Sequence, residues 1–136
     1  MKMETLLRII LAFGLSSSAF AQEGLEKKQW TRVVASGTNT RIGFFYWLNP
    51  DCSSSGNTNV RITKQPEHGS TEITTTTNFP FFAKDNVRAK CNEHKVRGVQ
   101  LNYKSAEKYV GNDELELLVL FPTGYAWEVH YDVSVR

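Results

Sequence analysis

Apolar and polar side chains alternate over residues 125–136, at the C-terminal end of the chain. Every second residue from Tyr125 to Val135 is apolar, and most of the residues between them are polar or charged. This period of two is typical of an antiparallel strand that buries one face and leaves the other in solvent. Pro122-Thr123-Gly124 precedes this strand and predicts a hairpin with the apolar run at 115–121.

The same pattern predicts further strands along the chain. Val99, Leu101 and Tyr103 share one face of a run at 98–103. Four more runs rich in β-branched and aromatic residues are bounded by turn residues, and they lie at 30–35, 41–48, 60–63 and 70–75. No amphipathic helix is evident. Seven strands predict an all-β, antiparallel two-sheet sandwich.

The run at 41–48 is unusual because its residues from Phe44 to Leu48 are all apolar and mostly aromatic. A continuous apolar run predicts a strand that is covered on both faces. We therefore expect the residues from Phe44 to Trp47 to belong to the core.

The segment 76–94 follows no regular period and predicts a long connection. Phe79, Phe81 and Phe82 lie in it and are followed by Lys84 and Arg88. Exposed rings beside cationic groups are favoured at protein interfaces, so these five residues are the candidate binding residues. The alternative is that Phe79 and Phe82 close one open end of the sandwich as a core lid.

The N-terminus has the layout of a cleaved secretory signal peptide over residues 1–21. A start with Lys2 and Arg8 precedes a short apolar stretch, and Ala19-Phe20-Ala21 supplies a small-x-small cleavage site. The apolar stretch is too short to cross a bilayer, which needs about 20 residues, so no stable membrane insertion is expected after cleavage. We expect a periplasmic or secreted protein, with a flexible polar tail at 22–29 and one domain at 30–136.

Two cysteines, Cys52 and Cys91, remain in a chain that is sent to an oxidising compartment. An even count in that setting predicts one structural disulfide. Closing a loop of about 40 residues would stabilise the fold by roughly 4 kcal/mol on the chain-entropy estimate. The net charge of +2 is spread along the chain without a basic cluster, so nucleic acid is not an expected partner.

Few residues indicate catalysis or metal binding. His68, His94 and His130 lack the spacing of a metal site, and His130 lies on the polar face of the last strand. Glu114 and Glu116 share one strand face without the staggered oxygens of a calcium loop. No nucleophile signature occurs and no carboxylate pair stands out, so we expect neither a metal, a cofactor nor an enzyme.

Three short motifs carry a resemblance to a known family. They are Pro66-x-His68-Gly69-Ser70, Gly98-x-x-Leu101-x-Tyr103 and Tyr109-x-Gly111-x-Asp113-x-Leu115, with Val133-Ser134-Val135 closing the last strand. Together they resemble the bacterial Ig-like and cadherin-like repeat over residues 60–135. The resemblance implies an Ig-like sandwich. The chain has Ser105 where the repeat usually has Pro, and Leu115 where it usually has Phe.

The motif residues also have local structural roles. Gly69 and Gly111 suit turn positions that need unusual dihedral angles. Asp113 can accept hydrogen bonds from backbone N–H groups in its own turn. Tyr103 can hold a crossover through its hydroxyl, as in the tyrosine corner of sandwiches.

The expected function is non-catalytic binding outside the cytoplasm. We expect recognition of a protein, or less favourably a glycan, through loops and the connection at 79–90. One alternative is a periplasmic or secreted enzyme inhibitor or accessory protein that uses a protruding loop as a plug. Another is a small hydrolase on a sandwich scaffold.

Overall fold

Seven strands form two sheets in the computed structural model, which describes residues 25–136. The strands are β1 (Leu25–Val34), β2 (Thr40–Phe45), β3 (Asn59–Lys64), β4 (Gly69–Asn78), β5 (Val96–Ser105), β6 (Gly111–Leu120) and β7 (Ala126–Val135). A 3₁₀-helix at Ala89–Glu93 is the one helical element of these residues. The predicted all-β, two-sheet sandwich of seven strands is confirmed.

The first sheet has the order β1-β7-β6-β3 and the second has the order β2-β5-β4. β6 and β7 form the predicted hairpin, which Gly124 allows with a φ of 84°. β1 pairs with β7 in parallel, so the expectation of wholly antiparallel sheets is wrong for this pair. β1 connects to β2 in the other sheet, and no hairpin therefore constrains its direction.

Alternate residues of β5, β6 and β7 fill the space between the sheets. Leu101, Leu115, Leu117, Val129 and Tyr131 are fully buried there. The polar residues between them point outward, as the period of two predicts. The C-terminal alternation therefore builds the centre of the core.

β1 begins at Leu25, so the predicted domain start at Trp30 is too late and residues 25–29 are not a flexible tail. These residues pair with β7 from Ala126 to His130. Their side chains are mostly polar because they lie exposed at a sheet edge, and backbone pairing rather than burial holds them. The predicted signal peptide at 1–21 and the rest of the tail, 22–24, lie outside the described residues.

The aromatic run that follows Ile42 contributes to two separate apolar clusters. Phe45 is buried in the main core, and Trp47 packs against it. Phe44 and Tyr46 pack against a second cluster made by Leu48, Cys91 and Val96. The run is thus covered from both sides, although β2 ends at Phe45.

The predicted disulfide between Cys52 and Cys91 is present. It joins the segment after β2 to the 3₁₀-helix, and Cys91 is fully buried. The connection between β4 and β5 is therefore held against the segment after β2.

Asp113 joins the two sheets. Its carboxylate accepts a hydrogen bond of 2.7 Å from the Tyr103 hydroxyl, and further bonds of 3.0 Å from the backbone N–H groups of Glu67, His68 and Glu114. Two of these N–H groups belong to the β3–β4 turn, so Asp113 holds a neighbouring turn as well as its own. Burial and this bond raise the pKa of Tyr103 above its ordinary value.

Glycine is needed at positions 69 and 111 for different reasons. Gly111 has a φ of 146°, which side-chain-bearing residues rarely adopt. Gly69 has no such dihedral angle, so the expectation for it is wrong. A Cβ at Gly69 would lie 2.6 Å from the Lys104 carbonyl oxygen and 2.8 Å from the Tyr103 ring. Gly69 is required by the close approach of β5.

No helix in the described part of the chain is long and apolar enough to cross a membrane.

Asp113→Ala should lower the free energy of unfolding by about 3 kcal/mol, because it removes four hydrogen bonds to a carboxylate and leaves a buried hydroxyl unpaired. Tyr103→Phe removes one of these bonds and should cost about 1.5 kcal/mol. Urea denaturation measures both losses. Asp85→Ala, at an exposed acid, is the control. Equal stability of the Asp113 and Asp85 variants would contradict this role.

Candidate functional site

A cleft of about 450 Å³ opens where β1 and β7 of the first sheet face β2 and the segment after it. Nine of its twelve lining residues are aromatic. The lining consists of Trp30, Phe44, Phe45, Tyr46, Trp47, Leu48, Phe81, Phe82, Asn86, Arg88, Phe121 and Trp127. The volume is in the range of small-ligand and side-chain pockets.

The inner part of the cleft is an aromatic cluster continuous with the core. The Trp30 ring lies edge-on to Trp127 at 6.0 Å and stacks on Phe45 at 6.1 Å. Phe121 lies 4.8 Å from both Trp47 and Trp127. Edge and offset contacts of this kind hold rings in fixed orientations. All three tryptophans of the chain therefore line one cleft.

The outer part is supplied by the connection between β4 and β5. Phe82 packs edge-on against Tyr46 at 5.6 Å, and its backbone N–H and carbonyl oxygen both bond to the Asn92 side chain. The Tyr46 hydroxyl accepts a 2.6 Å bond from the Phe81 N–H and donates to the Phe81 carbonyl oxygen. Burial raises the pKa of Tyr46. These bonds fasten the connection along the aromatic run.

The five predicted binding residues have different environments. Phe81 is 85% exposed and Phe79 is 52% exposed, with the Lys95 ammonium group 5.7 Å from the centre of the Phe79 ring. Lys84 is also exposed. Phe82 is half-buried in the second apolar cluster, so the lid alternative describes Phe82 and does not describe Phe79.

Arg88 combines a structural contact with a place at the cleft. Its Nε donates a 2.7 Å hydrogen bond to the Leu48 carbonyl oxygen, and its side chain is half-buried. Of the predicted residues, the cleft brings together Phe81, Phe82 and Arg88, whereas Phe79 and Lys84 lie outside its lining.

Sequence reasoning missed Trp30, Trp47, Phe121 and Trp127 as site residues. They are far apart in the chain and meet only because β1 lies next to β7 and faces β2. One signal was present for three of them, namely that Trp47, Phe121 and Trp127 lie close to strand ends. This signal does not distinguish a cleft from a core.

A second polar cluster lies on the outer face of the first sheet around His130. Its Nδ1 is 3.1 Å from Glu116, and its Nε2 is 3.2 Å from Asp132 and 3.6 Å from Glu114. One ligand atom each of Glu114, His130 and Asp132 lies within 4.8 Å of the others, a separation that a cation could bridge. The Lys64 ammonium group pairs with Glu114 and offsets part of the negative charge of the cluster, and the Gln29 amide donates a hydrogen bond to Asp132.

The comparisons with known proteins assign no family. No protein-family model matches the chain, and no curated protein matches it significantly. One solved structure that matches is the solution structure of amebosin, at 12% identity and a TM-score of 0.45, with 80% of this chain and 98% of that chain covered. This likeness does not assign a function, and the resemblance to the bacterial Ig-like repeat stays a prediction.

Phe82→Ala should lower the free energy of unfolding by about 2 kcal/mol, because the half-buried ring packs against Tyr46 and the disulfide region. Phe81→Ala should change it by less than about 0.5 kcal/mol, because the ring is mostly in solvent. Thermal or urea unfolding distinguishes the two. Similar losses in both variants would mean that Phe81 belongs to the lid.

His130→Gln should destabilise the protein mainly at acidic pH. Hydrogen bonds to Glu116 and then Asp132 raise the pKa of His130 in the folded protein. The charged imidazole therefore stabilises the fold fully below its unfolded pKa of about 6.5. This contribution is lost as the pH rises through the higher folded pKa.

The difference between wild type and His130→Gln in urea unfolding should be at most about 1 kcal/mol, because the cluster is partly exposed. His94→Gln is the matched control, since His94 is exposed and lies outside this cluster. A difference in unfolding free energy between wild type and His130→Gln that grows from pH 6 to pH 9 would contradict a stabilising role of the charged imidazole.

Proposed function

We propose that this protein is a non-catalytic binding module that recognises a protein partner through the aromatic cleft and the adjoining Phe81 ring. The observation that supports this most is the combination of a 450 Å³ cleft, lined mainly by rings, with a phenyl group that is 85% exposed at its border. Aromatic residues arranged in this way are typical of the centre of an interface.

Burial of Phe81 supplies a clear energetic gain. Removing a phenylalanine side chain from water is worth about 1.5–3 kcal/mol, and the hydrogen bonds between Tyr46 and Phe81 hold the backbone there before binding. The disulfide and the Asn92 bonds hold the neighbouring residues. These residues are therefore already ordered before binding, and a partner loses little affinity to the conformational entropy of this surface.

The chemistry of the cleft favours a protein over a glycan. A sugar needs several hydrogen-bonding groups around its hydroxyls, whereas this lining is mainly ring surface, with Asn86, Arg88, Tyr46 and the tryptophan indole N–H groups as its polar groups. An apolar or aromatic side chain of a partner suits the same rings without such groups. Lys84 and Arg88 would favour acidic residues around that side chain.

The connection favours a binding surface over an inhibitory plug. A plug requires a loop that projects from the body of the protein. Here the connection is bonded back to Tyr46 and Leu48 and is linked through Cys91. The lining of the cleft contains no carboxylate, thiol or imidazole, so a hydrolase is the less favoured alternative.

The disulfide fits an extracellular or otherwise oxidising location. Together with the predicted signal peptide, this supports a proposed site of action in the periplasm or outside the cell.

Photo-crosslinking from position 81 tests the proposal. A photoreactive phenylalanine at Phe81 should give a discrete protein adduct in the source cell envelope. The same group at Val110 should not, because Val110 is similarly apolar and 69% exposed but lies at the opposite end of the sandwich. Unlabelled wild-type protein should compete, and Phe81→Ala should compete at least about tenfold less well.

Binding to the crosslinked partner should also change tryptophan fluorescence, because all three tryptophans line the cleft. Equal adducts at positions 81 and 110, or capture of a glycan without a protein, would overturn the proposal.

A further inference from the structure

β4 forms a long unprotected edge of the second sheet. The strand has ten residues and pairs with β5 on one side only. Most of its residues are serine or threonine, Glu72 is its one charged residue, and it contains no proline. An edge of this kind presents a row of backbone N–H and C=O groups that can pair with another strand.

The other edges of the described sheets carry features that discourage pairing. β2 and β3 have six residues each, and both show a register shift in their pairing. β1 carries Lys27, Lys28 and Arg32 along its length. Short strands, bulges and charged side chains are the usual protection of sheet edges. β4 is long, pairs without a register shift and carries a single charged residue, Glu72.

A polar groove of about 250 Å³ lies beside this edge. It is lined by Gly56, Asn57, Thr58, Thr75, Arg97, Gly98 and Val99, none of which lines the aromatic cleft. The Arg97 side chain is exposed and makes no hydrogen bond or ion pair with any residue that the structure describes. The Thr58 hydroxyl is buried and also lacks a partner among these residues. Of the two groups, the exposed guanidinium of Arg97 is the one that a ligand can reach, and it is unpaired among the residues that the structure describes.

The register places these groups relative to the edge. Ile73 lies opposite Leu101, Thr75 opposite Val99 and Thr77 opposite Arg97. Leu101 and Val99 are buried between the sheets, so this row of β4 is on the inward-directed face. Ile73 nevertheless remains 38% exposed, because β4 has no neighbour on its outer side.

We propose that β4 binds an extended segment of a partner protein as an added strand, with an apolar residue opposite Ile73 and an acidic residue opposite Thr77. Neighbouring strands lie about 4.8 Å apart, and directly opposed residues share a face. The acidic side chain would be on the same face as Arg97, separated from it by the small Thr77. The long guanidinium side chain can span this distance and form a charge-assisted hydrogen bond.

A second copy of the chain does not satisfy this arrangement. A two-fold axis perpendicular to the sheet would pair two β4 strands in antiparallel orientation. Each residue would then lie opposite a residue that is on the same face of the sheet in the other copy. Glu72 lies on the opposite face from Thr77 and cannot come opposite it. A second β4 strand therefore provides no acid for Arg97, and a different protein segment is required.

The register along β4 sets the spacing of the two recognised residues in a bound peptide. Ile73 and Thr77 are four positions apart, so bound peptides should carry an apolar residue and an Asp or Glu four positions apart, in the order set by the strand direction. Selection of a random heptapeptide display library on the immobilised full chain tests this directly. Individual enriched peptides should bind Arg97→Ala at least about tenfold less tightly than wild type.

Charge reversal gives the sharpest control. Selection on Arg97→Glu should replace the acidic position by Lys or Arg. Selection on Lys104→Glu should not, because Lys104 lies opposite Ser70 at the other end of β4. Thermal unfolding of each variant shows whether it folds, and a variant that does not fold is replaced by Thr77→Glu, which places an acid beside Arg97 and should block the wild-type peptides.

Several results would overturn the proposal. They are the absence of an enriched pattern, an enriched pattern that Arg97→Glu leaves unchanged, and amide exchange of β4 that enriched peptides do not slow. Sedimentation as a dimer that enriched peptides dissociate would assign the edge to a second copy instead. None of these outcomes depends on position 81, so this inference can fail while the proposed function of the aromatic cleft stands.

Discussion

The Cys52–Cys91 disulfide is the constraint on which the candidate site depends. The connection between β4 and β5 has little regular structure to hold it, and the cystine fixes its far end to the segment after β2. Leu48 and Val96 pack around the buried Cys91, and Phe82 and Tyr46 extend this cluster outward. Two hydrogen bonds each from the Tyr46 and Asn92 side chains, and one from Arg88, hold the remainder of the connection. An irregular segment thereby becomes part of a defined surface.

The aromatic run after Ile42 links this segment to the core. Its side chains alternate, so Phe45 and Trp47 reach the main core while Phe44 and Tyr46 meet the second cluster. The cleft lies at the junction, with tryptophans from β1 and β7 on one side and the connection on the other. Core packing therefore sets the positions of the rings that a partner would contact.

The strands were predictable because burial of one sheet face imposes a period of two, and β5, β6 and β7 follow it closely. The start of β1 was not predictable from the sequence, because Leu25 to Gln29 are held by backbone pairing with β7 and carry no apolar pattern. The disulfide followed from the cysteine count, whereas the roles of Phe81 and Phe82 did not. Adjacent phenylalanines in an irregular segment give no periodicity that separates the exposed ring from the packed one. The cleft itself required the contact between β1, β2 and β7, which no local pattern specifies.

The most direct test is the NMR spectrum of the tryptophan indole N–H groups upon addition of the partner crosslinked at position 81. Each of the three indoles lines the cleft, so Trp30, Trp47 and Trp127 serve as separate probes of its occupancy. Binding in the cleft should shift all three indole resonances while leaving the Val110 amide at the opposite end unchanged. Unchanged indole resonances at saturating partner, or shifts centred on Val110, would contradict the account.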